Sequence, residues 1–232
     1  MRIGIDTGGT FTDVVTYDPD RGGLVFHKVS STPDDPAISI ISGAGEAVDL
    51  SKAKASDVEM LVHGTTVATN QVLQRSGAKV AFITTAGFRD VLHIQRQARP
   101  RMYDLRARRT VALVPRHLRF EVRERMRFDG TVQTELDRTD LARVIEAVGA
   151  SGVQSVAVGL LHSYANPLHE REIGEEVARR LPSIAVSLSH ELIGEHGEYE
   201  RFSTCVMNAF VQPGIKHYIG RLSTGLQQAG FE

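Results

Sequence analysis

The hydrophobic and polar positions of the first forty residues follow the period of β-strands. Ile3 and Ile5 alternate with polar neighbours, and residues 11–17 are rich in β-branched and aromatic side chains. Glycines separate these two runs, a pattern that predicts a β-hairpin. A third strand is predicted at 24–29, and a helix is predicted to begin at Pro36. The first unit is therefore predicted to be three strands followed by a helix.

Strands and helices then alternate along most of the remaining chain. Short apolar strands are predicted at 60–63, 79–84 and 153–161, and helices are predicted after the first of them and on both sides of the third. Such alternation predicts a parallel part of the sheet with helices on its faces. Residues 197–230 are predicted to be helical apart from a break at Pro213.

Residues 117–136 have a different pattern. Phe120 and Val122 alternate with polar residues, Asp129-Gly130 is a strong hairpin turn, and Val132 begins a return strand. The sequence therefore predicts a β-hairpin region inserted into an α/β domain.

Composition and charge narrow the function. Hydrophobic residues make up 41% of the 232 residues, charged residues 24%, and the formal net charge is −1, which favours neither a nucleic-acid nor a membrane partner. The single cysteine, Cys205, excludes an intrachain disulfide framework. No apolar run reaches the roughly 20 residues of a membrane span, and the N-terminus lacks the layout of a signal peptide. We expect a cytoplasmic protein.

The charge is nevertheless uneven. Residues 96–127 contain 11 arginines against three acids, which gives this segment a charge of +8 and the rest of the chain −9. Most of these arginines are expected to form a solvated face or to pair with acids of a partner chain. Nucleic-acid binding is disfavoured because only Tyr103 and Phe120 could stack on bases there.

The Gly-rich turn in the opening "MRIGIDTGGTFTD" is the strongest candidate for chemistry. Its spacing fits neither the dinucleotide fingerprint nor the P-loop, and the residues that follow are strand-like. Gly8 and Gly9 allow backbone amides to approach an anion, and Asp6 can hold Mg²⁺ directly or through water. Hydroxyl donors around the turn are Thr7, Thr10 and Thr12. The alternative is a plain hairpin turn with Asp6 as a surface acid.

A second Gly turn follows the next strand in "HGTTVATN", residues 63–70. A helix that begins near Thr66 would place Thr66 and Asn70 on one face below His63 and would present free amides to an anion or a polarised carbonyl. The alternative is that Thr65 or Thr66 only caps the helix.

Four stretches together resemble the hydantoinase A/5-oxoprolinase family, which also contains a subunit of acetone-type carboxylases. "GIDTGGTFTD" resembles the first phosphate motif of the wider actin, sugar-kinase and heat-shock ATPase superfamily. "HGTTVATNQVLQR", "TTAGFRDVLHIQRQARPRMYDL" and "SHELIGEHGEYERFSTCVMNAFVQP" are similar to the narrower family. Gly197 and Cys205 depart from its usual residues, Arg and Thr.

The resemblance implies a fold and a site. The fold would be an actin-like ATPase (ribonuclease H-like) lobe, with a mixed sheet that starts as three antiparallel strands flanked by helices. Asp6 and His63 would be catalytic, with Mg²⁺ on Asp6 and ATP on the first turn. The remaining residues are assigned by role: Thr7, Gly8, Gly9, Thr10 and Thr12 to the cofactor; Gly64, Thr65, Thr66, Asn70, Arg96 and Arg99 to the substrate.

The resemblance also implies an activity, namely ATP-dependent opening of a cyclic amide of the hydantoin or 5-oxoproline type. The alternatives are a subunit of an ATP-dependent ketone carboxylase, or a truncated or split piece that is inactive alone and binds a complementary chain. Residues 1–188 would form the N-terminal domain and 189–232 the start of the next. Family members have a second phosphate loop beyond this length, so the expected partner is the missing C-terminal half or a hydantoinase B-type subunit, in an oligomer.

Overall fold

The computed structural model of the chain describes residues 1–19, 22–32, 35–97, 103–104, 106 and 111–231. The strands, in chain order, are β1 (Arg2–Thr7), β2 (Phe11–Tyr17), β3 (Leu24–Ser30), β4 (Met60–Thr65), β5 (Val80–Thr85), β6 (Arg119–Val122), β7 (Arg125–Met126), β8 (Val132–Thr134), β9 (Ser155–Val158) and β10 (Ala185–Leu188). The helices are α1 (Pro36–Leu50), α2 (Val67–Gln74), α3 (Val91–Ile94), α4 (Arg138–Ala150), α5 (Leu168–Arg180), α6 (Ser189–Leu192) and α7 (Glu198–Gln228).

The described chain forms two compact units. Unit 1 contains residues 1–74 and 214–232, and unit 2 contains residues 75–213. The α/β class and the early strands and helices are confirmed, but the sheet is not a single one: unit 1 holds a four-stranded sheet and unit 2 a second.

Unit 1 is built on a mixed sheet with strand order β3-β2-β1-β4. The predicted hairpin is confirmed, because β1 and β2 are antiparallel, whereas β1 and β4 are parallel. Ile3 and Ile5 turn inward from β1 and pack in one core with Ile40 and Ala44 of α1. At Gly43 a Cβ atom would lie 2.9 Å from Val14 Cγ2, so glycine permits this close approach of helix and sheet.

Unit 2 is built on a parallel sheet with strand order β10-β9-β5-β6. Every residue of β5 and of β9 is buried, as expected for parallel strands covered on both faces. The helix α4 is capped by Asp137, whose side chain accepts the amides of Thr139 and Asp140.

The inserted hairpin is smaller than predicted. The alternating residues 119–122 form β6, which pairs in parallel with β5 and belongs to the central sheet of unit 2. Only β7 and β8 form an antiparallel hairpin. The alternation was read as a hairpin strand because the turn at Asp129-Gly130 follows closely, whereas the partner of β6 lies more than thirty residues upstream.

The break predicted at Pro213 is absent, because Pro213 lies inside the continuous helix α7. A proline removes one backbone donor from a helix, and tertiary packing outweighs this local cost here. Within the described residues no helix is both long and apolar enough to cross a membrane.

Candidate functional site

The register of unit 1 decides which residues meet at the end of β1. Asp6 lies opposite Asp13 of β2 and Gly64 of β4. Thr7, the next residue, lies opposite Thr12 and Thr65. Since paired residues share a face and successive residues alternate, one face of the sheet carries the carboxylates and the other carries the threonines.

The carboxylate face is open. Asp6 is exposed, and a Cβ atom on Gly64 would lie 3.2 Å from Asp6 Oδ1, so the carboxylate lies against the backbone of the second turn. Asp13, beside Asp6, forms an ion pair with Lys28 at 2.8 Å. Two neighbouring carboxylates are suited to a hard cation such as Mg²⁺. Asp13 was not among the predicted site residues, although its place in the predicted hairpin puts it opposite Asp6.

The first turn presents free backbone donors. The amide of Gly8 is used internally, because it donates to the Phe11 carbonyl at 3.0 Å. The amides of Gly9 and Thr10 donate no backbone hydrogen bond within the described part of the chain. Ser31 steadies the turn, since its hydroxyl donates to the Gly8 carbonyl at 2.9 Å and its amide to the Thr10 carbonyl at 2.9 Å. The turn therefore offers two backbone amides, those of Gly9 and Thr10, in a fixed conformation of the kind that binds anions.

Two threonines predicted to contact the cofactor point inward instead. Thr12 is fully buried, and its hydroxyl lies 3.0 Å from Ser31 Oγ and 3.2 Å from Ser39 Oγ. Thr7 is also buried, and its hydroxyl has no partner among the described residues. Strand alternation places both on the α1 side, so Thr12 braces the turn from within, and Gly9 and Thr10 are left as the exposed donors.

The second turn behaves as a helix start. The Thr65 hydroxyl accepts the Val67 amide at 3.2 Å, and Asn70 Nδ2 donates to Thr66 Oγ1 at 3.4 Å. This geometry shows that Thr65 caps the start of α2, and it puts Thr66 and Asn70 together as predicted.

His63 is not beside Asp6 on the carboxylate face. It pairs with Ile5 in the sheet register, and both side chains turn inward. Nδ1 lies 3.3 Å from the Ile5 carbonyl, and Nε2 contacts the hydroxyl of Tyr218. Burial lowers the pKa of His63, while the Ile5 carbonyl and the charge of Asp6 act in the opposite direction. Tyr218 lies more than 150 residues away and carried no sequence signal.

The two arginines predicted to bind substrate belong to a different part of the chain. Arg96 lies in unit 2, where its guanidinium forms an ion pair with Glu200 of α7. Arg99 lies outside the described residues.

Unit 2 has its own cluster of polar residues near the end of its parallel strands, and this cluster is buried from solvent. Glu170 is buried and accepts the Leu160 amide at 3.0 Å and the His190 amide at 2.9 Å. Burial acts to raise the pKa of Glu170, but the hydrogen bonds from His190, Leu160 and Ser163 outweigh it, and the pKa is lowered.

Arg201 completes that cluster. Its side chain is fully buried and donates to Ser189 Oγ at 3.1 Å, to the Leu160 carbonyl at 2.7 Å and to the Glu195 carbonyl at 3.1 Å. Arg201 also pairs with Glu198, three residues earlier in α7, at 3.4 Å, while its bond to the Leu160 carbonyl ties α7 to the residues that follow β9.

A second buried group lies beside it. The hydroxyl of Thr85 bonds Glu124 and accepts the Leu161 amide at 3.1 Å, and His169 Nδ1 lies 2.9 Å from Glu124 Oε2. His169 is itself buried. Cys205 is buried, and burial raises the pKa of its thiol.

Known proteins resemble this chain in both sequence and fold. The caprolactamase α subunit of Pseudomonas jessenii is 34% identical over 235 residues, which cover 99% of this chain and 34% of that subunit. The crystal structure of the ATP-dependent caprolactamase from Pseudomonas jessenii matches 99% of this chain and 34% of its own, with a TM-score of 0.91 and 33% identity. A nucleotide-free acetone carboxylase, from work on ATP-dependent acetone carboxylation, matches over the same shares with a TM-score of 0.88 and 27% identity.

The chain spans 34% of the length of each of these matches. Residues 2–181 match the hydantoinase/oxoprolinase N-terminal region. That match covers the hairpin with its Gly turn, the second turn and most of unit 2. The chain therefore belongs to the hydantoinase/oxoprolinase N-terminal family.

Proposed function

We propose that this chain forms the phosphate-binding part of an ATP-dependent hydrolase of cyclic amides of the hydantoin or 5-oxoproline type. The observation that carries the proposal is the end of the unit 1 sheet, where two free amides stand beside two exposed carboxylates. The names of the family and of the ATP-dependent caprolactamase support the reaction class. We also propose that unit 1 is the actin-like ATPase lobe implied by the opening motif, and that the protein works in the cytoplasm.

The residues present fit Mg²⁺ and a phosphate chain. Asp6 and Asp13 would hold the cation, and the amides of Gly9 and Thr10 would bind phosphate oxygens. No atom lies within 4 Å of a Cβ built on Gly9, so this turn is open toward a ligand. Bound Mg·ATP would supply a phosphoryl group that activates the amide carbonyl, and the chain's own part is to position it and neutralise its charge.

The substrate side of the site would be the start of α2. Its first amides point at the second turn, and the helix dipole favours a polarised carbonyl oxygen there. Gly64 leaves room beside the Asp6 carboxylate, while Thr66 and Asn70 form one polar edge. Arg96 and Arg99 remain proposed substrate contacts.

A second candidate is ATP-dependent carboxylation of a ketone, which the fold similarity to acetone carboxylase favours. Either activity needs more protein than this chain, because the chain covers 34% of these matches. We propose that a C-terminal half or a hydantoinase B-type subunit completes the cleft in an oligomer, that residues 1–188 and 189–232 mark the domain division, and that this chain alone is inactive.

The test uses the complete enzyme that contains this chain. Asp6→Ala is expected to abolish ATP turnover while circular dichroism and the unfolding midpoint stay unchanged. Asp49→Ala, an exposed aspartate at the end of α1, is the matched control and is expected to turn over normally. Normal turnover by Asp6→Ala would exclude the assignment, and micromolar ATP affinity of these 232 residues alone would exclude the need for a second half.

A further inference from the structure

The second half of α7 places one aromatic residue against the inner face of the unit 1 sheet. Tyr218 is 6% exposed and belongs to the same core as Ile5 and Ile40. Its ring lies 6.0 Å from the ring of His63, measured between centroids, at an interplanar angle of 57°. Its hydroxyl contacts His63 Nε2. A tyrosine that is buried to this degree needs partners for its hydroxyl, and here they are His63 and the side chain of Thr65.

The partners of His63 determine where its proton lies. The Ile5 carbonyl, 3.3 Å from Nδ1, can only accept a hydrogen bond, so Nδ1 carries the hydrogen. In the neutral ring Nε2 then has only a lone pair, and the Tyr218 hydroxyl donates to it. Both ring nitrogens are therefore occupied, and neither is free to exchange a proton with a substrate.

The surrounding charges favour the same arrangement at neutral pH. Burial lowers the pKa of His63, against the opposing effects of the Ile5 carbonyl and Asp6 on β1, so the ring stays neutral. Burial raises the pKa of Tyr218; the Thr65 hydroxyl on β4 opposes this and Asp35, before α1, adds to it, so the phenol stays protonated. Asp35 is itself paired with Arg221 of α7.

The geometry points to Tyr218 as a positioning residue that holds His63 in its Nδ1–H tautomer, so that the imidazole ties β4 to the Ile5 carbonyl and does not act as a general base. The Ile5 carbonyl belongs to the peptide unit that leads into Asp6. His63 thereby fixes the backbone from which the carboxylate projects on the other face of the sheet. The effect on Asp6 as a ligand rests on the proposed function, whereas the tautomer does not.

The first experiment reads the tautomer directly, by ¹⁵N imidazole NMR on the chain. The wild type is expected to show His63 with a protonated Nδ1 and a bare Nε2 through neutral pH. In Tyr218→Phe the ring loses its donor to Nε2, so it should titrate at higher pH than in the wild type and populate both tautomers. Tyr17→Phe, on the opposite face of the sheet, is the control and should leave the His63 signals in place. A protonated Nε2 in the wild type, or His63 signals unchanged by Tyr218→Phe, would overturn the inference.

The second experiment uses the complete enzyme to distinguish a structural role of His63, called a strut here, from a role as general base. His63→Asn retains an amide N–H that can donate to the Ile5 carbonyl, so a strut predicts a loss in kcat of less than about tenfold and an unchanged pH profile. Loss of a general base would instead cost about 10²–10⁴-fold and remove one limb of the profile. If ATP turnover proves independent of Asp6, the proposed function fails, but the NMR result still decides the tautomer.

Discussion

The two sheets of this protein end in similar residue types that are used in opposite ways. At the end of the unit 1 sheet, Asp6 and Asp13 are exposed, and the amides of Gly9 and Thr10 are free within the described residues. At the end of the unit 2 sheet, Glu170 is buried and accepts hydrogen bonds from neighbouring amides and side chains. The number of partners that each polar group already has, rather than its residue type, distinguishes a binding site from a structural tie.

The largest expected effect is at the closed end. Arg201→Met would remove the donor of the Glu195 carbonyl, the shorter of the two hydrogen bonds to the Leu160 carbonyl, and the cation beside Glu198. Breaking a buried charged network of this kind costs about 3–5 kcal/mol, measured as the free energy of unfolding in urea. Arg143→Met, which removes an arginine exposed on α4, is the control and is expected to cost about 1 kcal/mol or less. Equal losses of unfolding free energy in the two variants would contradict the distinction between the buried Arg201 network and the exposed Arg143 ion pair.

A smaller effect is expected when one hydroxyl is removed from each end. Thr85→Val deletes a buried hydroxyl that contacts Glu124 and accepts the Leu161 amide, at a cost of about 1–3 kcal/mol. Thr10→Val changes an exposed turn residue and should alter the free energy of unfolding by less than about 0.5 kcal/mol. A larger loss for Thr10→Val than for Thr85→Val would reverse the comparison.

The next effect is a pH dependence of unit 1. The pKa of His63 is lowered in the folded chain from 6.5, so the unfolded chain binds the extra proton first as pH falls. The contribution of His63 to stability is therefore complete above pH 6.5 and is lost as pH falls from there through the folded pKa. Unfolding midpoints measured across this window should rise with pH, and His63→Asn should flatten the slope. An unchanged slope in His63→Asn would contradict the buried neutral ring.

The smallest effects on stability are expected at two glycines of the open end. A Cβ on Gly9 meets no atom within 4 Å, so Gly9→Ala should change the free energy of unfolding by less than about 0.5 kcal/mol. Gly64→Ala puts a methyl group 3.2 Å from Asp6 Oδ1, which should displace the carboxylate and weaken Mg²⁺-dependent nucleotide binding by the complete enzyme. If the Gly64→Ala enzyme binds nucleotide as tightly as the Gly9→Ala enzyme, then nucleotide binding does not depend on the position of the Asp6 carboxylate.

Local patterns predicted the local structure well. The hairpin β1–β2 and the start of α1 at Pro36 were predicted because each depends on neighbouring residues. The parallel partner of β6 could not be predicted, because its pairing with β5 is long-range. Pro213 predicted a break in the last helix, but tertiary packing keeps α7 continuous there.

The candidate site divides in the same way. Residue types and the Gly turn indicated Asp6, Gly8 and Gly9 as candidates, but the face on which each side chain lies follows from the strand register. For that reason Thr12 and His63 were expected at the surface of the site and are found inside it. Asp13 and Tyr218 were not predicted because the roles proposed for them rest on cross-strand and helix–sheet contacts.

The most direct test of the central claim maps where Mg²⁺ and a phosphate chain meet this protein. Amide ¹H–¹⁵N spectra of the chain titrated with Mg·ATP should show weak, saturable shifts centred on Gly9 and Thr10, and Asp6→Asn should remove their Mg²⁺ dependence. Amides at the end of the unit 2 sheet, such as Leu160 and Leu161, should not move. Shifts centred on Leu160 and Leu161, or no shift at Gly9 and Thr10 up to roughly tens of millimolar ligand, would contradict the account.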